Sequence, residues 1–466
     1  MPPFFLFLHL TLYLSTTSLP SSSAAVKFDY LNVHGILLSS ARRHYHRLPP
    51  QRHAPATGGG KNLTIELLHR ELIAGNPYPT SYHRINDLVR RDDRRVAALH
   101  YRILDFGTDV FSGLDQGSGE YFVRAGVGTP PSEQYLVVDS GSDFVWVQCE
   151  PCSQCYAQSE PVFDPARSGS FSSVACGSPL CSLLTASSKY VGGCAADRCQ
   201  YQVTYGDGSS TRGALALETL AFGDLSISEV AIGCGHQNRG LFVGAGGLLG
   251  LGWGPLSFVS QLGGMAGGAF SYCLPSRESP VGELVFGRSK AVAAGAVWIP
   301  LLRNPRAPGF YYVGLVGVGI GGARLEIVRE EEFQLTSEGR GGTVLDTGTA
   351  VTRLPVAAYA ALREGFVAEA GGLPSAAAVS IFDTCYALGG YESVRVPTLA
   401  FYFAGGAELT LPARNILIPV DDAGTFCFAF APSSSGLAII GNIQQEGIQI
   451  TVDAANGFLG FGPNTC

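Results

Sequence analysis

Cysteine is absent from the first 148 residues of this chain of 466, and histidine all but vanishes from the rest. Beyond residue 110 only His236 remains, so a catalytic triad would have a single base to draw on. No G-x-S-x-G or H-E-x-x-H accompanies it, which argues against a serine or metal protease. It reads instead as a loop histidine in Gly233-Cys234-Gly235-His236. No dinucleotide-binding loop opens a helix, and residues 111–466 carry a net charge of −12, so redox and nucleic-acid roles have no support. Long amphipathic helical patterns are scarce. No segment after the N-terminus is apolar for long enough to cross a membrane. The leader itself has a short apolar run from Phe4 to Leu14, then small residues with Ala24 and Ala25 as a cleavage site. It reads as a secretory signal, although no Lys or Arg precedes the run. A membrane anchor is the alternative, and the run is short for it.

What is present points to strands and turns. Apolar residues make up 46%, enough for a large core, and the length allows two or three domains. The 60 glycines and 27 prolines are spread along the chain between short apolar runs, the pattern of an all-β protein. Strands are expected at Tyr121–Val127, Tyr135–Val138, Phe144–Gln148, Tyr201–Thr204, Phe310–Gly319, Thr343–Leu345, Val396–Phe403, Phe426–Phe430 and Phe458–Phe461. The 12 cysteines are even in number, so a secreted chain would form six disulfides whose pairing the spacing leaves open. A zinc site is the rival for the closely spaced ones, but His236 is a poor extra ligand and secretion favours oxidation.

Charge divides the chain. Residues 26–110 hold 13 Lys and Arg against 8 Asp and Glu, with seven of the nine histidines. Their end, Ile85–Ile103, is the best helix candidate, with Leu88, Val89, Val96 and Leu99 striped among arginines. This suits a detachable basic pro-segment lying across an acidic cleft and loosened by acid as carboxylates and histidines take up protons. A disordered basic leader is the alternative. The one N-glycosylation sequon, Asn62-Leu63-Thr64, falls here.

The acidic part contains an internal repeat. Val137-Val138-Asp139-Ser140-Gly141-Ser142 is matched by Val344-Leu345-Asp346-Thr347-Gly348-Thr349. Leu248-Leu249-Gly250 follows the first and Ile439-Ile440-Gly441 the second, each about a hundred residues on. A lone Asp in such a turn would read as an ordinary hydrogen-bonded turn residue. Two in a repeat imply more. An Asp at the end of an apolar strand is costly unless it is hydrogen-bonded or functional. The glycine next but one lets backbone N–H groups approach it. If the halves pack about a pseudo-twofold axis, Asp139 and Asp346 meet. They would then share a proton and serve together as acid and base toward a water and a peptide carbonyl. The aspartic protease dyad is the familiar instance of such a pair.

The two turns, with Gly117-Ser118-Gly119-Glu120-Tyr121-Phe122-Val123, Cys149-Glu150-Pro151-Cys152-Ser153-Gln154-Cys155 and Tyr205-Gly206-Asp207-Gly208-Ser209, make the mature region resemble a pepsin-like aspartic protease. The resemblance is to the plant nepenthesin-like branch, and within it to the guard-cell aspartic protease type. It implies an all-β, bilobal fold with an interlobe cleft. It implies that Asp139 and Asp346 hold the attacking water, that Ser142 and Thr349 bond the outer carboxylate oxygens, and that Ser140 and Thr347 brace the loops. Gly141 and Gly348 complete the turns. Tyr205, with Gly206 and Asp207, belongs to a flap, its hydroxyl bonded to the indole of Trp146. Ser140 stands where Thr is more usual, which keeps the hydroxyl and loses a methyl. The family would pair Cys149 with Cys152, Cys155 with Cys234, Cys176 with Cys199, Cys181 with Cys194, Cys273 with Cys466 and Cys385 with Cys427. No saposin-like insert has room, since only 120 residues follow Asp346.

The expected organisation is a signal at 1–25, a basic pro-segment at 26–112, a first lobe at 113–298 and a second at 299–466. The expected function is acid-optimum endopeptidase cleavage by a secreted zymogen, extracellular or vacuolar, that cuts itself near residues 107–116. Its partners would be a polypeptide substrate and its own pro-segment as intramolecular inhibitor. It would be a monomer with no cofactor, metal, nucleic acid or membrane anchor. The alternative is a catalytically silent pepsin-fold inhibitor or binding protein.

Overall fold

The computed structural model describes residues 26–43, 63–70, 80–104, 121–186, 190–205, 209–240, 242, 244–275, 281–287 and 296–462. The expected signal at 1–25, Asn62, the 107–116 stretch, Gly206, Asp207 and Cys466 lie outside them.

The repeat in the sequence is a repeat in the sheets. In the first half, Tyr121–Val127 pairs antiparallel with Ser132–Asp139. Gly247–Gly250 runs parallel to that second strand and sets Gly250 opposite Asp139. Trp146–Gln148 lies antiparallel on its other side and parallel to Leu225–Arg239. In the second half, Tyr311–Val313 pairs antiparallel with Thr343–Leu345. Ala438–Ile440 runs parallel to Thr343–Leu345, with Ile440 opposite Leu345. Thr352–Pro355 meets Ala438–Ile440 through Arg353 and runs parallel to Phe430–Ser433. The apolar pairs that precede each Asp are buried, so burial of Val137, Val138, Val344 and Leu345 carries the carboxylates inward. Gly250 and Gly441 follow from the same geometry. A Cβ there would lie 2.6 Å from the backbone at Asp143–Phe144 and 2.5 Å from the Ala350 carbonyl.

A six-stranded antiparallel sheet joins the halves in the order Leu63–His69, Val281–Phe286, Ala269–Cys273, Gln449–Asp453, Phe458–Phe461 and Val297–Leu302. Its first strand comes from the basic segment. Leu63, Ile65 and Leu67 are buried while Thr64 and Glu66 are exposed, the period of two expected of a half-buried strand. The strand also meets Tyr121–Val127 through Leu68 and His69. Two further pieces of the basic segment pack on the second lobe. Phe28–Leu31 adds antiparallel to Val394–Pro397 and leads into the helix Val33–Arg43. The long helix Ser81–Leu104 runs across the interlobe cleft. Its Ile85 and Val89 pack with Ala350, Val351, Phe382 and Ile418. Its Leu99 packs with Phe310, Tyr312 and Val344. The stripe is therefore carried by Ile85, Val89 and Leu99, with Leu88 and Val96 partly buried at its edges.

Several expected strands are interrupted. Phe310–Gly319 divides into Tyr311–Val313 and Leu315–Ile320, Val396–Phe403 breaks at Thr398, and Phe426–Phe430 breaks at Ala429. The helix Val356–Glu369 buries Leu362 and Phe366, and Phe366 stacks on Phe428. Apolar Val356 and Val367 also stand on its exposed side, which blurs its helical period.

The disulfides correct four expected pairings. Cys149 ends the Trp146–Gln148 strand beside the ladder partner that carries Cys234, and it bonds there across 5.3 Å between Cα atoms. Cys152 and Cys155 then close on each other. Cys181 and Cys199 share one buried apolar cluster and are joined, which leaves the more exposed Cys176 and Cys194 as the outer pair. Cys385 and Cys427 face each other in register and are bonded. Cys273 is disulfide-bonded, and its expected partner Cys466 is outside the described residues.

Candidate active site

Asp139 and Asp346 end equivalent strands and meet, fully buried, where the two halves abut. Each turn closes on its own carboxylate. Gly141 N–H donates to Asp139 Oδ1 at 2.9 Å and Gly348 N–H to Asp346 Oδ1 at 3.0 Å. The turns also brace each other. Ser140 N–H donates to Thr347 Oγ1 and Thr347 N–H to Ser140 Oγ, both at 3.0 Å. Asn442 and Gln445 support the second turn by donating to the carbonyls of Thr347 and Asp346. Thr349 Oγ1 donates to Asp346 Oδ2 at 2.6 Å. The counterpart from Ser142 is not formed. Its buried hydroxyl helps to hold the Asp139 pKa down but lacks a hydrogen bond of ordinary geometry among the described residues.

The oxygens of Asp139 are taken instead by Arg95 of the long helix. Its Nη2 donates to Asp139 Oδ1 at 2.6 Å and to Asp346 Oδ1 at 2.7 Å, while its Nε donates to Asp346 Oδ2 at 2.7 Å. One guanidinium thus bridges both carboxylates in a fork that suits arginine. Gly348 makes room for it, because a Cβ there would sit 2.3 Å from Arg95 Cζ. Burial by itself would lower the guanidinium's pKa, but the two carboxylates outweigh burial and raise it. Burial would raise the pKa of Asp139, and Arg95, with Ser142 and the Gly141 N–H, brings it below the usual carboxylate value.

Three residues before Arg95 on the same helix, Asp92 is also buried. It accepts from the Ala350 and Val351 N–H groups and from Arg353 Nη2 at 2.8 Å. Asp93 takes the same Nη2 at 2.6 Å. Burial raises the pKa of Asp92 and exceeds the lowering by Arg353. Two described histidines of the basic segment sit elsewhere: His69 lies edge-on to Tyr121 and His83 bonds Thr80.

Over the first lobe, Trp146 Nε1 donates to Tyr205 Oη at 2.8 Å, and both rings meet Phe242 edge-on. His236 lies away from the carboxylates, beside the Pro151 carbonyl near the Cys152–Cys155 loop. Among the described residues, no group of three or more His, Cys, Asp and Glu could hold a metal ion. Nor is any helix there long and apolar enough to cross a membrane.

Family models described as xylanase inhibitor N-terminal and xylanase inhibitor C-terminal match residues 121–288 and 310–463. The chain is 58% identical over 418 residues to the Arabidopsis thaliana protein aspartic protease in guard cell 2, covering 86% of this chain and 87% of that one. It is 38% identical to aspartic proteinase nepenthesin-2 of Nepenthes gracilis, covering 83% and 87%. The chain belongs to the plant pepsin-like aspartic proteases. The solved structure of edgp is similar in fold, with TM-score 0.60, 21% identity, and coverage of 73% of this protease and 91% of that chain. Soybean basic 7S globulin is similar at TM-score 0.56 and 19% identity, covering 75% and 93%. As an aspartic protease, the protein acts on polypeptides, and its two-lobed all-β fold places the cleft between the repeats.

Composition and charge alone do not single out Arg95 from the 13 basic residues of its segment. The signal that could have found it is helical phase. Ile85, Val89, Asp92, Arg95 and Leu99 recur at spacings of four, three, three and four, so they line one face. A charged pair inside an apolar stripe marks the place where the helix crosses a polar site.

Proposed function

We propose that the chain is a zymogen of the secretory route whose Asp139 and Asp346 cleave peptide bonds at acid pH once the segment carrying Arg95 leaves. The observation that carries this reading is the convergence of both carboxylates, one from each half of the repeat, on a single guanidinium. While Arg95 is docked, its guanidinium holds both carboxylates and covers their reactive faces. When it leaves, two buried carboxylates this close would share a proton. The ionised member then takes a proton from a water as its oxygen attacks the peptide carbonyl carbon, and the protonated member gives its proton to the carbonyl oxygen. Collapse of the resulting diol returns one hydroxyl proton to a carboxylate. It breaks the C–N bond as the carboxyl that took the water's proton passes it to the nitrogen, giving an acid and an amine, a singly protonated pair again, and no covalent enzyme intermediate.

Ser140 and Thr347 tie the turns, Thr349 orients Asp346, and Ser142 is free to turn to Asp139 after release. Tyr205, fixed to Trp146, would close a flap with Gly206 and Asp207 over an extended substrate. Residues 26–112 act as pro-segment between a signal at 1–25 and lobes at 113–298 and 299–466. Cleavage near 107–116 would free it. The enzyme would work as a monomer outside the cell or in the vacuole, with Asn62 glycosylated in the discarded segment. The xylanase-inhibitor descriptions of the two family models favour the alternative of a silent binding protein, but that role needs no paired carboxylates. The test is hydrolysis of denatured globin by the acid-treated chain from about pH 3 to 6, with and without pepstatin, bracketing the usual carboxyl range. Pepstatin-sensitive cleavage is expected, and none at any pH would favour the inhibitor.

A further inference from the structure

The site that Asp92 occupies belongs to the body of the enzyme and outlasts the helix. Arg353 is 4% exposed and stands seven positions after Asp346, on the strand Thr352–Pro355. Its Nη2 is shared by Asp92 and Asp93, and its Nε is buried without a hydrogen-bond partner among the described residues. The Ala350 and Val351 N–H groups point at the same carboxylate oxygen of Asp92. Both aspartates leave with the helix. Asp383 of the same lobe is already engaged by Arg363, Tyr359 and Thr384. Once the helix leaves, Arg353 and the two N–H groups face the cleft without these acceptors, and the burial that raises the Asp92 pKa under the helix is relieved.

We propose that Arg353 and the Ala350 and Val351 N–H groups form a substrate subsite for an acidic side chain, which Asp92 fills while the helix stays docked. The inference rests on the proteolytic reading above and adds to it a substrate class: polypeptides with Asp or Glu close to the cleaved bond. The helix supplies the spacing. Asp92 and Arg95 are three residues apart, about 4.5 Å along the axis. With the reach of both side chains added, the acceptor site falls within about four residues of the dyad along an extended substrate at about 3.3 Å each. The donor set discriminates most strongly against lysine, whose ammonium would face Arg353 and offer the N–H groups nothing to accept.

The acid-activated full-length chain is given a peptide library at about pH 5, above the ordinary range of Asp and Glu. Cleavage products are read by mass spectrometry. At one position within about four residues of the cleaved bond, Asp and Glu should exceed Lys by at least about tenfold in kcat/KM, the scale of a buried charge pair. Single peptides carrying Glu, Gln and Lys there should fall in that order. Arg353→Gln should flatten the preference, and Arg353→Glu should turn it toward Lys. Cleavage with no acidic preference at any position, or a preference that Arg353→Gln leaves intact, overturns the subsite while the protease reading stands. Cleavage of no peptide at all refutes the protease reading and the subsite with it. Should both variants fail to fold, the wild-type profile and the three single peptides still decide.

Discussion

Replacing Arg95 with alanine should strip the chain of most of the latency proposed for it without unfolding it. The structure bounds the size of the effect. Arg95 makes three charge-assisted hydrogen bonds between 2.6 and 2.7 Å to two buried carboxylates. Breaking a buried pair by removing one partner costs about 3–5 kcal/mol. The exposed dyad recovers part of this by taking up a proton, so the lower end applies, about 3 kcal/mol. That is roughly a hundredfold in the docked-to-open ratio. The helix keeps Ile85, Val89 and Leu99 in their apolar contacts, so the fold should persist. Lysine at position 95 keeps the charge but cannot bridge both carboxylates, and should fall between. The assay is the initial rate on a fluorogenic peptide before any chain is cut, checked by gel. The exposed Arg90→Ala on the same helix serves as control. Latency unchanged by Arg95→Ala, or lost equally with Arg90→Ala, would refute the reasoning.

The pH dependence of activation should carry two opposed contributions. Arg95 holds Asp139 below its ordinary pKa, so its contribution to docking is present above the ordinary carboxyl range and is lost as pH falls, by up to one proton, or about 1.4 kcal/mol per pH unit. Asp92 has the opposite sign, because its pKa is raised on docking and proton uptake there favours the docked state. Asp92→Asn should therefore steepen the plot of activation rate against pH, as stopped-time assays across the acid range would show. Tyr205→Phe leaves the buried Trp146 Nε1–H without its acceptor, at about 1–3 kcal/mol, and should lower kcat/KM toward long peptides by about five- to a hundredfold. Leu67→Ala removes a fully buried side chain from the strand that the basic segment adds to the interlobe sheet. It should cost the full chain about 2–5 kcal/mol in urea unfolding and, if the basic segment is removed as proposed, leave the stability of the remaining part unchanged.

The residues differ in how well their roles can be read from sequence. The two Asp turns and their downstream glycines are legible because one backbone geometry, repeated, demands the same residue types twice. Trp146 and Tyr205 stand 59 positions apart, and only the family pattern joins them. The cysteine pairings are illegible for a different reason. Cys176, Cys181, Cys194 and Cys199 lie so close together that which two share the buried cluster depends on how a short helix sits on a hairpin. The strand Leu63–His69 carries a clear period of two, masked by its basic, histidine-rich surroundings. Arg95 is marked in the sequence by helical phase alone, and Arg353 by nothing, because burial on tertiary docking is what turns ordinary charges into specific partners.

The pairing of the two carboxylates is tested by the activity of Asp139→Asn and Asp346→Asn, each made in the full chain, acid-treated and checked for native fold. If the two carboxylates act as one acid–base unit, either substitution alone should lower kcat/KM on a peptide by at least about a thousandfold, and the double variant by little more. Cleavage that survives either substitution near the wild-type rate would contradict that pairing, and with it the proteolytic mechanism.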